Sequence, residues 1–131
     1  METISFTLPI KTVSEINSTE HWRIKHKRHK IQQFFVRRYF VQNKIKVDLP
    51  CTITLTRLSP RFLDDDNLPT SMKYFRDQIS EEITGKGGYY ITRKKLVKAI
   101  KGHADNDRRM TWVYAQEKAK TQAVRIEISF T

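Results

Sequence analysis

Residues 51–83 read CTITLTRLSPRFLDDDNLPTSMKYFRDQISEEI, and two different periods follow one another within them. Cys51, Ile53 and Leu55 alternate with Thr52, Thr54 and Thr56, the period-two pattern of a β-branched strand with one buried face. Cys51 then belongs to the core. From Leu68 the apolar residues recur as Leu68, Met72, Phe75, Ile79 and Ile83, the spacing of a single helix with one covered stripe. Asp66 stands where an N-cap would, and Pro69 is tolerable in the first turn. Arg57 to Asp66, with Pro60 inside it, reads as the loop between strand and helix.

Working outward, Ile4, Phe6 and Leu8 alternate with Thr3, Ser5 and Thr7, which predicts a first strand closed by Pro9. Asn17 with Glu20 makes a capping box for a helix reaching about Asn43, with Ile24, Ile31, Phe34, Phe35, Tyr39 and Val41 on one face. In its first turns Arg23, Lys25, His26, Lys27, Arg28, His29 and Lys30 surround the axis, which suits an exposed arm. Beyond residue 84, Gly85-Lys86-Gly87-Gly88 is a turn, Tyr89–Ile91 a short strand, and Thr92–Ile100 a short basic helix carrying Arg93, Lys94, Lys95 and Lys98. Met110, Trp112 and Tyr114 alternate, as do Val124, Ile126, Ile128 and Phe130, with 117–122 as a hairpin loop between them. The predicted fold is a single α+β domain over 1–131. Its two layers are a mixed sheet of about four strands and two main helices, in the order β-α-β-α-β-β.

Composition restricts the partners. The 131 residues carry 25 Lys and Arg against 14 Asp and Glu, a net charge of +11. Such a field draws polyanions, nucleic acid first among them. Between Arg23 and Lys46 there are nine Lys or Arg and no carboxylate. A solvated helix usually mixes signs, so this stretch is expected to face phosphates. No run is apolar enough for a membrane span, and the secretion-signal order is missing at the N-terminus, so the expected address is the cytoplasm. With one cysteine, internal disulfides and thiolate zinc sites are excluded, and a metal would use oxygen or imidazole ligands. The glycine-rich turn lacks the phosphate-loop pattern, so no nucleotide cofactor is expected.

Acids placed side by side in a basic chain need a reason. Asp64, Asp65 and Asp66 repel one another unless a cation joins them. In an extended segment Asp64 and Asp66 project to the same side, a spacing that suits Mg²⁺ with water and phosphate as its remaining ligands. Helix capping is the other reading; it explains Asp66 well and Asp64 poorly. Asp105 and Asp107 admit two readings as well, an ordinary turn or a second acidic group that meets the first at one sheet edge if the Trp112 strand lies beside the Cys51 strand. Lys73, two turns after Asp66, either faces a phosphate or pairs with Asp77 at i, i+4. Cations that bring in a nucleic-acid backbone, with carboxylates that hold Mg²⁺, are what a phosphodiester nuclease requires.

Leu63-Asp64-Asp65-Asp66-Asn67-Leu68, then Lys73 and Asp77, then Asp105-Asn106-Asp107 leading into Thr111–Lys118, and finally Val124–Ile128, together resemble the RusA family of Holliday junction resolvases. The likeness extends to Asn17–Arg28. It implies a RusA-like fold and a homodimeric, Mg²⁺-dependent endodeoxyribonuclease, with Mn²⁺ as a substitute, that cuts four-way DNA junctions by paired nicks, typically in phage or prophage recombination and repair. It also implies catalytic roles for Asp64, Asp66, Lys73 and Asp105. Metal ligands would be Asp64, Asp66 and Asp105, with Asp107 in addition. Arg23, Lys25, Lys27, Arg28, Lys30, Arg93, Lys94, Lys95 and Lys98 would grip DNA. Lys73 stands about one helical turn farther from the acidic motif than the family pattern has it, and Ala104 occupies a place where another acid is common. The alternatives are a non-catalytic basic nucleic-acid-binding module and a nuclease for flaps or other branched DNA.

Overall fold

A computed structural model describes residues 2–13, 21–84, 89–92, 95–98 and 108–131, the side chains of 89–92 and 95–98 excepted. Among the described residues the elements follow in the order β1 (Glu2–Leu8), α1 (Trp22–Gln42), β2 (Cys51–Ser59), α2 (Asn67–Ser71), α3 (Lys73–Thr84), β3 (Tyr89–Thr92), β4 (Lys95–Lys98), β5 (Met110–Lys118) and β6 (Ala123–Phe130). The main sheet has the order β1-β6-β2-β5. β6 is antiparallel to both β1 and β2, whereas β5 runs parallel to β2 in the register Cys51↔Met110 to Ser59↔Lys118. The α+β class, the mixed four-stranded sheet and the two main helices are as the sequence predicts.

One face of the sheet carries the core. Phe6 and Leu8, Ile53 and Leu55, and Val124, Ile126 and Ile128 meet Val36 and Phe40 of α1 and Phe75 and Ile79 of α3. Phe6 stacks on Tyr39 with ring centroids 3.9 Å apart and meets Phe40 edge-on at 6.1 Å. Cys51 is buried, as expected of a core residue. The opposite face leaves Thr3, Ser5, Thr7, Thr111 and Val113 exposed. On that face Arg125 bridges Glu117 and Glu127. The hydrogen bond from Arg125 holds the Glu117 carboxyl below its ordinary range. Any stability from this pair is present above the ordinary carboxylate pKa and is lost as pH falls through the lowered one; at an exposed site it is small.

Several expectations change. α1 is a continuous helix from Trp22, so the basic stretch is helical, with Arg23, His26, Lys27 and Lys30 exposed as expected, and its N-cap is His21, whose side chain accepts from the Arg23 N–H at 3.2 Å. The proposed Asn17 capping box lies outside the described residues. The face α1 buries is Gln32, Val36 and Phe40, flanked by Phe35 and Tyr39, while Ile24, Ile31, Phe34 and Val41 are exposed. Gln32 hides this stripe in the sequence because it is polar; its amide donates to the Lys11 carbonyl at 3.3 Å.

The single helix expected from 66 to 83 is two, broken at Met72 (φ −102°, ψ 1°), because α2 ends in a tight turn in which the Met72 N–H bonds the Pro69 carbonyl. Arg57–Ser59 continue β2 and are not loop. Lys95–Lys98 form a strand paired with β3, not part of a helix; Arg93 and Lys94 lie outside the described residues. The hairpin between β5 and β6 does not form, since β2 lies between them. The connection crosses the end of β2, where the Ala119 N–H bonds the Ser59 carbonyl at 3.1 Å.

Candidate nuclease site and nucleic-acid interface

The acidic loop leaves the end of β2 and is tied to β5. Gln116 occupies the same phase as Met110, Trp112 and Tyr114, so its amide points to the covered side of the sheet. It accepts from the Leu63 N–H at 2.9 Å and donates to the Leu63 carbonyl at 2.8 Å. This two-point amide pair reproduces one rung of a β-ladder and fixes the residue before Asp64. The Asp64 carbonyl then accepts from the Asn67 and Leu68 N–H groups at 2.9 and 3.2 Å, which starts α2 through the backbone.

The carboxylates are therefore left over. Asp66 is in the right-handed helical region (φ −66°, ψ −29°) and makes no side-chain cap bond, so capping does not account for it. Asp65 and Asp66 lie in a turn, and the extended-chain alternation invoked for Asp64 and Asp66 does not apply. All three side chains are exposed. Among the described residues no group of three His, Cys, Asp or Glu gathers around a common point. One or two carboxylates completed by water and phosphate oxygens is nonetheless the donor set Mg²⁺ takes, because that ion keeps much of its hydration. Asp64 and Asp66 fit that role. Asp105 and Asp107 lie outside the described residues; the strand they precede starts at Met110 beside Cys51, and it does run next to β2.

Lys73 opens α3 and is exposed, with its ammonium 5.9 Å from the Tyr74 ring centroid. Among the described residues it makes no ion pair, so the surface pair with Asp77 is not formed. Tyr74 in turn stacks on His29 of α1, centroids 3.5 Å apart and planes 15° from parallel. This contact brings the start of α3 against the basic half of α1. There Arg23, Lys27 and Lys30 are exposed and Lys25 and Arg28 half-buried. A surface groove of about 480 Å³ runs along the helix between Trp22, Lys27, Lys30, Ile31 and Phe34, with Arg23 over the Trp22 ring at 5.4 Å. Exposed aromatics interleaved with cations suit phosphates and bases together.

Sequence reasoning overlooked Gln116 and Tyr74 as positioning residues. Gln116 was detectable as a polar residue in the apolar phase of a strand; the Tyr74–His29 stack had no local signal.

The Gln116→Ala protein is expected to lose about 1–3 kcal/mol of stability through the two unpaired backbone groups of Leu63. If the resemblance to junction resolvases holds, cleavage of branched DNA should fall about tenfold or more as the acidic loop loosens, with DNA affinity unchanged. Chemical denaturation, cleavage and equilibrium binding on one preparation check all three. Unchanged cleavage would show that the clamp does not position the acids.

The chain matches no family model, and comparison with curated protein sequences finds no significant similarity. Among the described residues no helix is long and apolar enough to cross a membrane.

Proposed function

We propose that this protein is a Mg²⁺-dependent endodeoxyribonuclease that resolves four-way DNA junctions by paired phosphodiester cleavage, acting as a homodimer in the cytoplasm. The observation that carries the reading is an acidic triplet in a +11 chain whose carboxylates neither cap α2 nor pair with described cations, on a loop clamped by Gln116. Uncompensated like charges on an anchored loop are stabilised by a bound cation.

Asp64 and Asp66, joined by Asp105 and with Asp107 available, would hold the ion. When bound it polarises a phosphoryl oxygen, lowers the pKa of a water and stabilises the leaving 3′ oxygen. Lys73, which makes no ion pair among the described residues, would approach the phosphoryl oxygens and offset their growing charge. Arg23, Lys25, Lys27, Arg28 and Lys30, with Arg93, Lys94, Lys95 and Lys98, hold the DNA arms by their phosphates. A two-fold symmetric dimer matches a junction that needs two symmetric cuts.

The deciding experiment incubates a labelled four-way junction beside linear duplex, with and without Mg²⁺. Paired nicks in the junction that require Mg²⁺, or Mn²⁺ in its place, are expected. Salt-sensitive binding with no metal-dependent cut would identify a non-catalytic nucleic-acid-binding module, and equal cutting of flaps would widen the substrate to branched DNA.

A further inference from the structure

The covered face of the sheet turns polar at the acidic-loop end. Arg57 holds the phase of Cys51, Ile53 and Leu55 and is 6% exposed, yet it is a cation. Its Nε donates to the Thr12 hydroxyl at 2.9 Å, one terminal nitrogen to the Arg61 carbonyl at 2.7 Å, and the other to the Thr12 carbonyl at 3.4 Å. All three acceptors are neutral. Among the described residues no carboxylate pairs with it, and burial pulls its pKa below the ordinary arginine value. A guanidinium has five N–H donors, so this one retains hydrogen-bonding capacity beyond those three bonds. A buried charge with no counter-charge is costly, and an arrangement of this kind is stabilised by an anion from outside.

There is room for one. A pocket of about 350 Å³ opens beside Arg57, with Lys11 and Arg61 exposed at its mouth and Ser59, Thr12 and Gln122 in its walls. Arg57, Lys11 and Arg61 all line it, and Leu63, the residue clamped by Gln116, forms part of the same wall. The geometry points to a phosphate-binding site in this pocket, taking a tetrahedral oxyanion by charge-assisted hydrogen bonds from Arg57, Lys11 and Arg61. The phosphate is one of the nucleic-acid backbone, on the side of the acidic triplet where Leu63 lines the pocket. That assignment of its source rests on the proposed function; the anion site itself does not.

The rim residues allow a test that spares the buried one. In the absence of divalent ions, inorganic phosphate at tenfold excess over its dissociation constant should raise the melting temperature by about 5 °C over chloride at matched ionic strength. The Lys11→Ala/Arg61→Ala protein should fold normally and lose most of that rise. In polarisation titrations of a labelled four-way junction, again without divalent ions, the double variant should bind about tenfold more weakly, with a log–log salt slope shallower by about 1–2.

An equal rise in parent and double variant, or none in either, overturns the site. A lost rise with unchanged junction affinity overturns the backbone source and leaves free phosphate or a nucleotide as the ligand. Glu15, outside the described residues, is the acid nearest in sequence to Val13 of the pocket wall. If phosphate acts only on the Glu15→Gln protein, the pocket carries its own counter-ion and the proposal fails. Because no readout involves cutting, a chain that proves inactive as a nuclease still returns an answer for the pocket.

Discussion

The Asp66→Asn protein is expected to bind a four-way junction at least as tightly as the parent and to lose cleavage by about three orders of magnitude. The amide keeps the size of the side chain and one oxygen but removes the charge on which a hard divalent ion depends. The cost to the fold should be within about 0.5 kcal/mol, because Asp66 is exposed and makes no side-chain cap bond. That separation of effects is unusual for a residue at the start of a helix, where removal of a working cap commonly costs about 1 kcal/mol. Removing a negative charge from a strongly basic surface also favours the DNA complex slightly. Melting curves, junction binding without metal and single-turnover cleavage with Mg²⁺ make the comparison. Cutting within tenfold of the parent rate would remove Asp66 from the metal site and, with it, the assignment of roles in the acidic triplet.

Phe75→Ala should have the largest effect on the fold. Phe75 is fully buried on α3, within the cluster formed with Phe40, Ile53 and Ile126. Its truncation removes apolar contact and leaves a cavity, at a cost of about 3–5 kcal/mol. A domain of this size has roughly 5–15 kcal/mol in all, so the variant should melt on the order of 10–20 °C lower. The exposed Phe34 is the matched control: Phe34→Ala should change stability by less than about 1 kcal/mol and weaken DNA binding instead. Equal destabilisation by the two substitutions would mean that the face α1 turns to the sheet has been misassigned.

The strands at 3–8 and 51–56 are legible because threonine or serine alternates with apolar residues so regularly that only one phase can face the core. Where the polar and apolar phases mix, the sequence misleads. Gln32 sits in the buried stripe of α1 and Arg57 and Gln116 in the inward phases of β2 and β5, so the apolar pattern alone marks only the Phe35 and Tyr39 flank of the buried face of α1 and ends β2 too early. Each of these exceptions bonds backbone groups of a loop remote in sequence, Lys11, Thr12 or Leu63, and Arg57 also bonds the nearby Arg61 carbonyl. The order of strands was hidden for a similar reason. A short link between β5 and β6 suggests a hairpin, and only the insertion of β2 between them, a long-range pairing, makes it a crossing. At the site, the acidic triplet was visible as a charge anomaly. What the sequence could not reveal was that the Asp64 carbonyl begins α2 and so releases the Asp66 side chain from that task.

The enclosure of Cys51 in the core has a practical corollary. It is the single thiol of the chain and is only 4% exposed, so maleimide reagents should leave the native protein unlabelled. A cysteine introduced at an outward position of α1, such as Lys27→Cys, would accept a dye at one defined place without removal of the natural residue. Fluorescent reporters that test the proposed junction binding can then be built on the parent sequence directly.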